Sequence, residues 1–211
     1  MTSVTNPSEA LTLVGRSSSS FTRVTRIFAA EAGVEYGFRI VPDLLSLDAS
    51  LYGGNPALKL PSLEAPEGVW FGSLNICRRF ARGQARRIVW PEDLNEPLSA
   101  NAQELTLQTM SNAVALILTT LAGNPGTIQA EKLRQSLTGS LAWLETHAPA
   151  AVATLSATRD VSFLEVTLFC LIAHLEFREV VPLSPYAELG RFRARFAERS
   201  SARATEYRFD A

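Results

Sequence analysis

Apolar and polar positions along this chain change period several times, and the changes outline its elements. Leu11-Thr-Leu-Val14 is a short β-like run. After Ser17-Ser18-Ser19-Ser20, the apolar residues from Phe21 to Ala32 fall at helical spacing and stop at Gly33, a residue suited to closing a helix in the left-handed conformation. Tyr36 to Val41 is the next strand candidate. Strand, helix and strand within one crossover length predict a right-handed unit with both strands parallel in one sheet. Pro42 to Gly54 is irregular, with room for a helical turn around Leu44 to Leu51. Ser62 to Ala65 and Val69 to Phe71, separated by Pro66-Glu67-Gly68, read as a hairpin, and Ser73 to Arg82 follows as a helix.

From Gly83 to Pro97 the pattern gives way to a charged connector containing Arg86, Arg87, Pro91, Glu92 and Asp93. We take residues 10–83 as the first domain, 84–96 as a linker and 97–206 as the second domain. The second domain reads as helix throughout. Leu98 to Leu121 is one segment, broken by Gly123-Asn124-Pro125-Gly126, then Thr127 to His147, Ser162 to Phe177 and Ser184 to Ser200. No strand-like alternation interrupts them, so an all-α domain is expected. Ser162-Phe-Leu-Glu165 fits a capping box, in which serine and glutamate would satisfy each other's exposed backbone amides.

Composition narrows the function classes. Hydrophobic residues make up 46% and charged residues 19%, the balance of a globular protein. With 20 basic and 21 acidic side chains, a net charge of -1 gives no broad footprint for nucleic acid. The arginine clusters at Arg78-Arg79-Arg82, Arg86-Arg87 and Arg191-Arg193-Arg195-Arg199 read as solvated faces, and Trp70, Trp90 and Trp143 as packing residues. Leu105 to Ala122 lacks charge, yet Gln108, Ser111, Asn112 and several threonines suit a soluble bundle better than lipid. Met1 to Ala10 is polar with no apolar core, so no secretory signal is expected. Cys77 and Cys170 lie far apart in helical patterns and read as buried, reduced thiols of a cytoplasmic protein. His147 and His174 stand alone, and no metal motif is present.

Two stretches carry candidate chemistry. Asn55-Pro-Ala-Leu-Lys-Leu-Pro61-Ser-Leu-Glu64 places a proline at the first residue of a β-like run, where no ladder bond is lost. Gly72-Ser-Leu-Asn-Ile-Cys-Arg-Arg79 opens a helix on a serine, and the exposed amides of a helix start attract anions. A cis Leu60-Pro61 bond facing that helix start would make a site for a peptide-like ligand. In the Ser17–Ser20 run, one serine can cap the following helix.

These stretches resemble the glutathione S-transferases. That family carries a segment similar to Asn-Pro-Ala-Gly-Lys-Val-Pro leading to Glu-Ser-Asn-Ala-Ile, and a first helix starting with Ser-Pro-Phe-Val-Arg-Lys-Val-Arg-Ile, comparable to Ser19–Ile27 here. The close Arg199-Ser-Ser-Ala-Arg-Ala-Thr205 is similar to the family's Arg-Pro-Ser-Val-Arg-Ala-Thr, and the likeness runs from Leu11 to about Thr205. It implies an α/β thioredoxin-like N-terminal domain followed by an all-α helical-bundle C-terminal domain. It also implies a cytoplasmic homodimer that takes glutathione as co-substrate, uses no metal and contacts neither nucleic acid nor membrane.

The resemblance assigns roles residue by residue. Ser19 falls on the catalytic position of serine-type members, with Ser17 and Ser18 one or two places away. Its hydroxyl would donate to the sulfur of glutathione and favour the thiolate, since a free thiol with a pKa of about 8.5 is mostly protonated at neutrality. The thiolate would attack a small hydrophobic electrophile in a pocket between the domains, with lining positions around Leu107 to Asn112. Leu60, before Pro61, would pair its backbone with the cysteinyl part of glutathione. Ser73 would bind the γ-glutamyl carboxylate, and Lys59 would face the glycyl carboxylate. Gly72 departs from the family, which has Glu, Gln or Asp there to hold the γ-glutamyl ammonium. That departure, with Ser20 in place of the proline, favours the alternative of a non-catalytic binding or scaffolding protein of the same fold.

Overall fold

The computed structural model describes residues 11–210; the Met1–Ala10 segment lies outside the described residues. β1 (Thr12–Gly15) is followed by α1 (Ser20–Ala32) and β2 (Gly37–Ile40), and the two strands pair in parallel with Leu13 opposite Phe38. Gly33 closes α1 at φ 65°, and its amide reaches back to the last turn of the helix. A short 3₁₀ turn, Ala49–Tyr52, is the only helical piece of the irregular stretch that follows. β3 (Ser62–Ala65) and β4 (Gly68–Phe71) form the hairpin, and α2 (Ser73–Ala81) completes the unit. The sheet order β2-β1-β3-β4, with β1 parallel to β2 and antiparallel to β3, is that of a thioredoxin-like domain.

Alternation along the strands fills both faces of this sheet. Leu13 and Leu63 point to one face, where they bury with Ala29 of α1 and with Ile76 and Phe80 of α2. Val14 points to the other and packs with Val41 and Tyr52, against which Leu51, Leu58 and Leu60 lie. Each fully buried large side chain contributes roughly 1.5–3 kcal/mol.

The contacts divide the chain into two compact units. One holds the segment up to Ala85 together with Ser200 onward, and the other holds Arg86–Arg199. In the second unit α3 (Pro97–Leu121) and α4 (Ile128–Ala153) pack lengthwise, and α5 (Phe163–Phe177) is apolar on every side and buried along nearly its whole length. α6 (Ala187–Ala197) follows, and α7 (Ser200–Arg203) returns to α1 in the first unit. Among the described residues no helix is long and apolar enough to cross a membrane. Cys77 and Cys170 are buried and carry no disulfide.

Three details differ from expectation. The second unit is the helical bundle expected, with one two-residue pairing added: β5 (Ile88–Val89), in the stretch read as a linker, pairs in parallel with β6 (Val161–Ser162) immediately before α5. Two-residue strands are too short to display an alternation. The Asp160 amide donates to the Arg87 carbonyl at 2.9 Å, and the Arg87 amide donates to Asp160 Oδ2 at 2.8 Å, extending the pairing. α4 continues past His147 through Pro149 to Ala153. The segment read as one helix from Ser184 to Ser200 is two, α6 and α7, broken after Ala197.

The start of α5 also differs in detail from the expected box. Ser162 Oγ accepts from the Glu165 amide at 3.0 Å, but the Glu165 carboxylate takes the Ser162 hydroxyl at 2.7 Å and both arms of Arg159 at 2.6 and 2.7 Å. Burial pushes the Glu165 carboxyl up, yet its bonds to Arg159 and Ser162 more than offset this and hold it below the ordinary value.

Candidate functional site

Three turns of the first unit converge at one end of its sheet. Pairing of Val14 with Ser62 brings the exit of β1 beside the entrance of β3, and pairing of Ser62 with Phe71 brings the exit of β4 beside it on the other side. The chain therefore places Arg16–Ser20, Leu60–Pro61 and Gly72–Ser73 side by side, where α1 and α2 both begin.

The Leu60–Pro61 bond is cis. Its approach is set by Asn55, whose Nδ2 donates to the Lys59 carbonyl at 2.8 Å while its Oδ1 accepts from the Ala57 amide at 3.0 Å. Leu60 is anchored by its side chain in the cluster around Tyr52. Among the described residues neither its backbone amide nor its carbonyl takes a hydrogen bond. Lys59 is exposed, with its backbone rather than its ammonium engaged in the loop.

Gly72 joins this loop to α2. Its amide donates to the Pro61 carbonyl at 3.1 Å, and its own carbonyl accepts from the Ile76 amide at 3.2 Å. At φ 81° and ψ 147° the residue occupies backbone space that L-residues scarcely use, which glycine enters freely. Ser73, buried, is the first residue of α2, and the amides of Ser73, Leu74 and Asn75 precede the first bond of the helix. Free amides and the helix dipole make this end attractive to a carboxylate.

At the third turn Ser19 is the N-cap of α1, its Oγ accepting from the Thr22 amide at 3.2 Å. As acceptor in that bond it retains its O–H to donate elsewhere. Ser17 and Ser20 are buried, each 1% exposed, and neither hydroxyl has a hydrogen-bond partner. Gly15 lets α1 start so close to β1, because a Cβ there would meet Thr22 Cγ2 at 2.5 Å.

The structure thus gathers Ser19, Leu60, Pro61, Gly72 and Ser73 at one end of the sheet. Sequence reading missed three supports of this end: Gly15, the bonds made by the Asn55 side chain within the loop it already named, and Asp210, whose Oδ2 accepts from the Ser17 amide at 2.8 Å. The first two could have been found from their places beside a strand end and before a turn; the third has no local signal. In the second unit Glu104, Leu107, Gln108, Ser111 and Asn112 line an open depression on α3.

Comparison with known proteins agrees with this geometry. Residues 18–82 match the family model for the glutathione S-transferase N-terminal domain. A glutathione S-transferase of Methylobacillus flagellatus, solved with glutathione bound, is 19% identical, with 94% of this chain and 100% of that one covered at a TM-score of 0.74. One from Methylobacterium radiotolerans, in complex with glutathione sulfonate, is 17% identical, with 96% and 97% covered at 0.71. A glutathione transferase family member of Pseudomonas fluorescens with bound glutathione is 20% identical, with 94% and 100% covered at 0.71. A search of curated proteins finds no match. Residues 18–82 therefore form a glutathione S-transferase N-terminal domain, and the chain as a whole has the glutathione S-transferase fold.

Proposed function

We propose that the protein is a glutathione transferase that conjugates the glutathione thiolate to a small hydrophobic electrophile. The observation that carries this reading is the convergence of a capped helix start at Ser19, a cis-proline edge at Leu60–Pro61 and a second helix start at Ser73. The free backbone pair of Leu60 suits the cysteinyl peptide unit, as an added strand would. The α2 amides and Ser73 suit the γ-glutamyl carboxylate, with exposed Lys59 in the loop that leads to Leu60 facing the glycyl carboxylate. Ser19 then acts on the sulfur. Its hydroxyl donates, the dipole of α1 adds positive potential, and each unit of lowered thiol pKa is about 1.4 kcal/mol in favour of the thiolate. Solved relatives of the same fold hold glutathione or its sulfonate, which supports the ligand class. The buried, reduced cysteines fit a cytoplasmic setting, and we expect a homodimer.

Conjugation of glutathione to a reactive aryl halide, measured for wild type and Ser19→Ala, tests this. Ser19→Ala should bind glutathione nearly as well while forming less thiolate and turning over more slowly at neutral pH. Full activity in Ser19→Ala, with loss in Ser17→Ala or Ser18→Ala, would move the role along the run. Gly72 favours a second reading, a non-catalytic binding or scaffolding protein, because no acidic side chain stands at that position for the γ-glutamyl ammonium. Absence of measurable glutathione binding by calorimetry would decide for that reading.

A further inference from the structure

We propose that Asp210 is a positioning residue for the turn that presents Ser19, acting from a segment that straps the length of α1. This rests on the reading of Ser19 as the group that contacts the thiol.

The turn between β1 and α1 has little support of its own. One backbone bond closes it, from the Ser19 amide to the Arg16 carbonyl at 3.1 Å, and the hydroxyls of Ser17 and Ser20 bond to nothing in the protein. Its firm anchor comes from elsewhere. Asp210 Oδ2 accepts from the Ser17 amide at 2.8 Å and lies 4.0 Å from Arg16 Nε, and the Asp210 side chain is only 2% exposed. A carboxylate accepting from an amide is among the stronger hydrogen bonds, and losing it would leave the Ser17 amide unpaired in the fold.

The route by which Asp210 arrives is also built. Ser201 Oγ donates to Glu31 Oε1 at 2.6 Å near the end of α1, Arg23 donates to the Ala202 carbonyl at 3.1 Å, and the Arg23 guanidinium lies 4.3 Å over the Tyr207 ring. Contacts thus run from the last turn of α1 through its middle to the turn before it, in the order Ser201, Tyr207, Asp210. The strap fixes the turn, the turn fixes the N-cap bond between Ser19 and Thr22, and that bond fixes where the Ser19 hydroxyl stands. Displacements on the order of 1 Å at such a group cost up to about a hundredfold in rate.

The test uses Asp210→Ala, Asp210→Asn and Ser19→Ala in the full chain. Without glutathione, hydrogen exchange at the Ser17 and Ser19 amides should speed up in Asp210→Ala and less in Asp210→Asn, which keeps an acceptor oxygen. With glutathione, Asp210→Ala should lower the ultraviolet thiolate absorbance at neutral pH and reduce kcat about tenfold with little change in KM, and Asp210→Asn should recover most of both. Unchanged exchange in Asp210→Ala overturns the proposal at the turn itself. Faster exchange with unchanged thiolate and kcat, while Ser19→Ala impairs both, overturns positioning but leaves the Ser19 reading standing. An unimpaired Ser19→Ala overturns the Ser19 reading and this inference with it.

Discussion

Gly72 offers a clean separation of backbone strain from ligand charge. Its φ of 81° and ψ of 147° lie in a region essentially reserved for glycine, where another residue costs about 1–3 kcal/mol. A Cβ built there meets nothing within 4 Å, so Gly72→Ala should lose stability through the backbone alone. The chain cannot relax cheaply, because Gly72 is bonded on one side to Pro61 and on the other to Ile76. Gly72→Glu bears the same strain but sets a negative charge at the start of α2, which returns about 0.3–1 kcal/mol through the helix dipole. Urea unfolding should therefore rank wild type above Gly72→Glu and Gly72→Glu above Gly72→Ala. Glutathione binding should rank differently. A carboxylate facing the γ-glutamyl ammonium could give roughly 1.5–3 kcal/mol, but position 72 is exposed, which shrinks the gain to about 0–1 kcal/mol. Calorimetry should then find Gly72→Glu up to about fivefold tighter than Gly72→Ala. An alanine variant as stable as wild type would refute the strain argument. Weaker glutathione affinity in the glutamate variant would refute the argument that the ammonium lacks a partner.

Gly15→Ala should destabilise by about 1–3 kcal/mol in denaturant unfolding, because the new methyl collides with the Thr22 side chain, and adding Thr22→Ala should recover much of the loss. The Glu145 carboxylate accepts from the Glu188 and Leu189 amides at 2.8 and 3.0 Å and so caps α6 from α4; Glu145→Ala should cost about 1.5–3 kcal/mol and speed amide exchange in the first turn of α6. Glu165 is held below its ordinary value of 4.5, so its bonds to Arg159 and Ser162 stabilise the fold above that pH and are lost as pH falls through the depressed value. Acid titration of thermal midpoints should show this loss below pH 4.5 and should show it much reduced in Arg159→Met, where burial without the guanidinium would raise the carboxyl instead.

The site was legible where its residues punctuate the chain. Pro61 at a strand start, the Pro66-Glu67-Gly68 hairpin and Gly33 at a helix end each constrain the backbone by their own chemistry, and each stands where the pattern put it. β5 and β6 escaped because two residues display no period, and their pairing depends on Arg87 meeting Asp160 across the sequence. The continuation of α4 past His147 was hidden by Pro149, whose helix-breaking tendency loses here to the packing of Ala148 and Ala151. Asp210 had no local signature at all, since its partner Ser17 is 193 positions away. The positions around Leu107 to Asn112, named from family likeness for the electrophile, carry no signal of their own, because they are ordinary helix surface that here lines an open depression on α3.

The return of α7 and the residues after it to α1 has a consequence for the order of synthesis. Ser201 meets Glu31 across 170 positions, and Arg23 meets Ala202 across 179. On the ribosome β1 through α2 emerge long before these partners exist, so the first unit can form its sheet but must keep one flank of α1 unfinished while Arg86–Arg199 is made. Such distant contacts are slow to close. The two units therefore mature in an interleaved order, the first to begin being the last to be completed.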